Sequence, residues 1–111
     1  MAIDQSDAER AVDWLRDNAR AIGQSRAERL YIEQWCKTVK ATLQAEQAGV
    51  SAAASEINAL ASPKYLAALQ AYREAVERDE YLRFMVTAAE AKIEMWRSVE
   101  ATRRAEGKAT T

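Results

Sequence analysis

The sequence predicts an all-α fold: a long antiparallel helical hairpin with an additional N-terminal helix, assembling into a dimeric helical bundle. Three observations predict it. Alanine, glutamate, arginine and leucine dominate, while glycine occurs three times and proline once in 111 residues. That composition favours helix over sandwiches, barrels and disordered chains. Apolar residues recur at spacings of three and four over most of the chain. Finally, the stretch from Pro63 to Ala105 holds no glycine and no further proline, room for one helix of about 65 Å at 1.5 Å per residue. The length sets a single helical domain, residues 1–111, with a modest core. The expected helices cover about 7–22, 26–47 and 63–105, with a connector over 48–62.

The first helix is expected to open at Ser6-Asp7-Ala8-Glu9, a capping-box pattern in which Ser6 and Glu9 each satisfy an orphan backbone N–H. Val12, Leu15, Ala19 and Ile22 then form a thin stripe with Trp14 beside it. Gly23 interrupts, and Ser25-Arg26-Ala27-Glu28 repeats the capping pattern. Two readings stand side by side here. Either Gly23 ends one helix and Ser25 starts another, or a single helix runs through a weak point costing about 1 kcal/mol. The same pattern at Thr87-Ala88-Ala89-Glu90 lies inside an obvious helix, so it does not decide the matter.

From Arg26 onward Ile32, Trp35, Val39 and Leu43 share a face, widened by Leu30, Tyr31 and Cys36. Glu33 and Lys37 suit an outer i,i+4 ion pair. Gly49 is placed to take the left-handed conformation that stops a helix. The following SAAASEINALAS has only Ile57 and Leu60 to bury and reads mainly as a connector, with room for a short helix. Ser62-Pro63 then satisfies two independent start rules, serine at the N-cap and proline at the first helical position. Glu74/Arg78, Asp79/Arg83 and Glu100/Arg104 suit i,i+4 pairs along the last helix, and Gly107 is expected to end it.

A helix of this length draws its stability from packing. Leu69, Tyr72 and Val76 make one narrow stripe. Beyond Asp79 the apolar surface doubles: Leu82, Val86, Ala89, Ile93 and Trp96 form one line, Tyr81, Met85, Ala88, Met95 and Val99 another, and Phe84 points a third way. Apolar residues over more than half the circumference call for more than one neighbour, and the stripe near the N-terminus is too thin to cover them. Self-association is therefore expected, a homodimer most simply, through Leu82, Met85, Val86, Ile93 and Trp96.

Charge and composition exclude several classes. Sixteen basic and seventeen acidic residues leave a net charge of −1, which does not indicate a globally basic nucleic-acid or membrane binder. No apolar run approaches about 20 residues, so no bilayer-spanning helix is expected. The polar, acidic start is unlike a secretory signal, and one cysteine, Cys36, permits no intramolecular disulfide. Both suit the cytoplasm. Histidine is absent, removing the commonest general base and metal ligand. Glu90 and Glu94 lie one turn apart but read as a solvated acidic face, and Cys36 as a packed, inert thiol. No phosphate loop, nucleotide fingerprint or zinc spacing occurs. No catalytic residue, cofactor or metal is expected.

One end of the last helix concentrates Arg97, Arg103, Arg104 and Lys108 around Trp96. Arginines grip phosphates and tryptophan stacks on bases, which makes these four candidate nucleic-acid contacts. The competing reading is a salt-bridged helix end, since Glu94, Glu100 and Glu106 are interleaved and cations near a helix C-terminus answer the helix dipole.

Val39-Lys40-Ala41, Ala61-Ser62-Pro63-Lys64-Tyr65, and Ile93-Glu94-Met95-Trp96-Arg97-Ser98 followed by Arg103-Arg104 resemble motifs in small all-helical accessory proteins of tailed bacteriophages and prophages. Such proteins are often encoded near recombination or replication genes. The resemblance covers about residues 26–104 and brings no catalytic residues with it. It implies a non-enzymatic phage accessory protein acting in the host cytoplasm. Taken with the apolar stripes and the arginine-rich end, the expected role is in DNA recombination or replication, through oligomerisation and partner binding with weak DNA contact. The alternative is a protein-interaction module, an assembly chaperone or an inhibitor of a host protein, with no nucleic acid involved. Neither reading fixes the protein partner.

Overall fold

The computed structural model describes residues 3–110, with side chains through residue 109. Residues 1, 2 and 111, which the single-domain reading includes, lie outside the described residues. The described residues form three α-helices and no strand: α1 (Gln5–Ala45), α2 (Ala52–Leu60) and α3 (Pro63–Thr110). The all-α class is as expected.

The additional N-terminal helix is not a separate element. The segments expected as two helices, 7–22 and 26–47, fall on one continuous α1 that runs through Gly23 and ends at Ala45. The reason lies in the phase of its buried and half-buried positions. Leu15, Asn18, Ile22, Ser25, Arg29, Ile32, Cys36, Val39 and Leu43 alternate at three and four residues without a slip, and a broken helix would lose that phase. Gly23 costs about 1 kcal/mol in this interior, and a Cβ placed on it meets nothing within 4 Å. Gly23→Ala is therefore expected to raise stability by about 1 kcal/mol, moving the thermal midpoint up by about 4 °C. A lower midpoint would show that the chain does bend at this glycine.

Caps account for the ends. The capping box at the start of α1 is Asp4 with Asp7, not Ser6 with Glu9. Asp7 N donates to Asp4 Oδ1 at 2.9 Å and Asp4 N donates to Asp7 Oδ2 at 3.1 Å. The Asp4 N–H, with Arg10 beside it, holds the Asp7 carboxyl below its ordinary value. Gly49 adopts φ +77° in the turn after α1, the left-handed conformation expected of it. The connector 48–62 is mostly helical: Ser51 Oγ accepts from Ala54 N and caps α2. Ser62 and Pro63 start α3 as expected, with Ser62 Oγ accepting from Lys64 N at 3.3 Å. At the other end α3 continues past Ala105 and Gly107 to Thr110. A glycine in an exposed last turn weakens a helix without obliging it to stop.

The chain divides into two compact units, one formed by Gly23–Glu80 and the other by Met1–Ile22 with Tyr81–Thr111. In the Gly23–Glu80 unit the partner of each α1 residue moves back along the chain as α1 advances. Arg29 meets Asp79, Cys36 meets Ala68, and Lys40 meets Glu56 of α2. In the other unit Ala8 and Val12 share a hollow with Ile93 and Trp96, while Trp14 shares one with Met85.

The buried seam is made of small residues. Among the described residues the buried hydrophobics are Ala8, Ala11, Ala59, Ala68, Ala75, Ala89 and Cys36, joined by Ser25, Ser55 and Asp79. Alanine against alanine lets two helices approach closely but removes little apolar area from water. Large side chains flank that seam, some half-buried, such as Ile32, Tyr72, Leu82 and Val86, and others exposed. Trp35 and Leu69, expected on inner faces, are 46% and 39% exposed, while their neighbours Cys36 and Ala68 take the buried positions.

Candidate functional site

The most apolar concavity among those described lies in the Gly23–Glu80 unit. It is a groove of about 460 Å³ between α1 and the first turns of α3. Trp35, Val39 and Leu43 wall it on the α1 side, and Ala67, Ala68 and Ala71 floor it on the α3 side. The geometry follows from residue size, since three alanines on α3 leave room that tryptophan and leucine on α1 border but do not fill. Glu46 and Lys64 also line this groove.

Beneath it α2 is fastened by a polar clasp. Gln47 Nε2 donates to Leu43 O at 3.1 Å and to Ser55 O at 3.2 Å, and Gln47 Oε1 accepts from Asn58 Nδ2 at 2.9 Å. Ser55 Oγ lies 3.4 Å from Gln44 O. Lys40 Nζ pairs with Glu56 Oε1 at 2.9 Å, which raises the lysine pKa and lowers that of the glutamate. The clasp fixes where α3 begins, and so which α3 residues face Trp35.

Cys36 sits behind the groove, its Sγ 3.3 Å from Ala68 O. Burial pushes its thiol pKa up, away from the thiolate that a nucleophile needs. Among the described residues no three of His, Cys, Asp and Glu converge as metal ligands, and Glu94 is occupied with Arg97.

At the far end of this unit Arg29 Nε lies 2.9 Å from Asp79 Oδ2, with Glu80 Oε1 3.7 Å from Arg29 Nη1. Asp79 is 1% exposed, the largest fully buried side chain in the chain's described part. The N–H of Arg29 is poorly aimed, so Nε and Oδ2 are close in space without a well-formed hydrogen bond. The sequence suits Asp79 to an i,i+4 pair with Arg83; the structure turns it inward to a residue fifty positions earlier in the chain.

The candidate nucleic-acid residues Arg97, Arg103, Arg104 and Lys108 are all exposed on α3. Arg97 Nη1 pairs with Glu94 Oε2 at 3.1 Å and Arg103 Nη1 with Glu100 Oε1 at 3.0 Å, while Arg104 Nε donates to Glu100 O. In the same unit Arg10 pairs with Asp7, and Arg16 with Asp13 and Asp17. The interleaved carboxylates thus answer much of the basic charge locally. Exposed pairs of this kind contribute about 0–1 kcal/mol each, so they neutralise without fixing.

The candidate self-association residues Leu82, Met85, Val86, Ile93 and Trp96 are all half-buried. Leu82, Val86, Ile93 and Trp96 continue the line of Asp79 and Ala89, and Ile93 and Trp96 border a hollow of about 250 Å³ with Ala8 and Val12. Met85 borders another of about 300 Å³ with Trp14 and Lys92. The more exposed apolar side chains of this unit are Val12, Tyr81, Phe84 and Met95.

No protein-family model matches the chain, no curated protein matches its sequence, and no solved structure matches its fold. Among the described residues no helix is long and apolar enough to cross a membrane.

Proposed function

We propose that this protein is a non-enzymatic interaction module that works by helix-to-helix association, first of all with its own copies. In this reading α1 and α3 form a long antiparallel hairpin and two hairpins make a four-helix bundle in the cytoplasm. One observation carries it: the buried hydrophobics are alanines and a cysteine, whereas Trp35, Leu66, Leu69, Phe84 and Met95 are exposed among twelve large apolar residues. A chain whose fully buried core is small residues, with a dozen large apolar ones exposed, keeps apolar area open to a partner.

A second reading adds weak DNA contact in the service of phage recombination or replication. The exposure of Arg97, Arg103, Arg104 and Lys108 and the motif resemblance favour it. Light scattering and electrophoretic shift separate the two. We expect the scattering mass to exceed the 12.4 kDa of one chain and to fall towards it on dilution. DNA contact requires a shift that weakens steeply with salt and is lost in an Arg97/Arg103/Arg104 triple alanine variant. No shift with single- or double-stranded DNA at low salt removes the second reading, and one-chain mass at every concentration removes the first.

A further inference from the structure

We propose that the seat of self-association is the alanine-floored groove of the Gly23–Glu80 unit, occupied by the same groove of a second copy, with Glu46 and Lys64 pairing reciprocally across the interface. This rests on the self-associating reading above and names its surface.

Charge picks out this groove. Glu46 and Lys64 line the same groove with opposite charges, and neither is seen in an ion pair within the described residues, unlike Lys40 and Glu56 nearby. A two-fold axis running along the groove sets Glu46 of each copy beside Lys64 of the other, which satisfies both charges twice with one contact type. The same operation lays each α1 segment beside the other copy's α3 segment. Trp35 and Leu43 then reach the partner's alanine floor, large residues into small. The hollows of the other unit are smaller, at about 250 and 300 Å³, and are bordered by Asp7, Arg10, Glu9 and Lys92. They offer less apolar area and no comparable unpaired couple.

The test uses charge exchange in the full chain. Glu46→Lys and Lys64→Glu each place like charges at both contacts, and each variant alone is expected to dimerise at least about tenfold more weakly. Mixed in equal amounts, the two variants restore opposite charges at both contacts, and a heterodimer of wild-type strength is expected. Recovery on mixing also excludes misfolding as the cause of the loss. Independently, a Trp14→Phe/Trp96→Phe chain reports on Trp35 alone, whose emission is expected to shift to the blue and resist acrylamide as dimer forms. A wild-type chain that scatters as a monomer at all concentrations overturns the self-associating reading and this inference together. A wild-type dimer that survives both single charge reversals, or whose Trp35 stays as quenchable as in the monomer, overturns this inference alone.

Discussion

Asp79→Ala is expected to destabilise the protein by about 3 kcal/mol, lowering the thermal midpoint by about 12 °C. The carboxylate is 1% exposed and its partner Arg29 Nε sits 2.9 Å away. Removing it leaves a guanidinium in an alanine-lined seam without its counter-charge, and the cost is chiefly that of the stranded cation. Arg29 retains a fifth of its side-chain exposure and a contact to Glu80 at 3.7 Å, which places the loss at the lower end of the range for buried pairs. Replacing both partners, Arg29→Met with Asp79→Leu, removes two desolvated charges at once and is expected to return stability to within about 1 kcal/mol of the parent. Urea unfolding of the four chains in the cycle checks both statements. A loss below about 0.5 kcal/mol for Asp79→Ala would mean that water reaches Arg29 freely. The pair also selects a register, because sliding α3 by one turn in this unit would bury Asp79 away from the cation that accepts it.

Why the sequence concealed this residue says how far it can be read. The all-α class, the Ser62-Pro63 start and the left-handed Gly49 follow from local rules that need no partner, and the structure has each of them. The seam needs a partner. Periodicity weights large side chains, and so it chose Trp35 and the stripe Leu69, Tyr72 and Val76, whereas the buried residues are Ala68, Ala75 and Asp79 with Cys36 opposite, and Tyr72 is only half-buried. Alanine carries little signal on either face of a helix, and an aspartate followed four residues later by arginine looks like an outer pair.

The continuity of α1 was legible in principle. The alternation of three and four from Leu15 to Leu43 passes Gly23 in phase, but only when Asn18, Ser25 and Arg29 are accepted as seam residues. The candidate site was less accessible. Its groove depends on the register of α3 against α1, which the clasp of Gln47, Ser55 and Asn58 in the connector sets. Polar side chains in a stretch read mainly as a connector gave no warning of that role.

Ala75→Leu is expected to destabilise by about 2 kcal/mol, although it adds apolar area at a helix position of good propensity. Ala75 is 2% exposed and lies on the seam one turn from Asp79. Helices meeting through alanine approach to about 8 Å, the near end of the usual range. A leucine there forces the axes apart or takes a strained rotamer, and either loosens the Arg29–Asp79 contact as well. Ala67→Leu supplies the internal comparison. Ala67 is exposed on the floor of the groove, so the same added atoms meet open space and are expected to change monomer stability by less than about 0.5 kcal/mol. Urea midpoints for the two variants, measured at a concentration where the chain is monomeric, decide the point. If Ala75→Leu instead gained stability, the added side chain would be filling a void. The seam would then be loosely packed, and close approach through alanine would no longer explain why the large residues stand outside it.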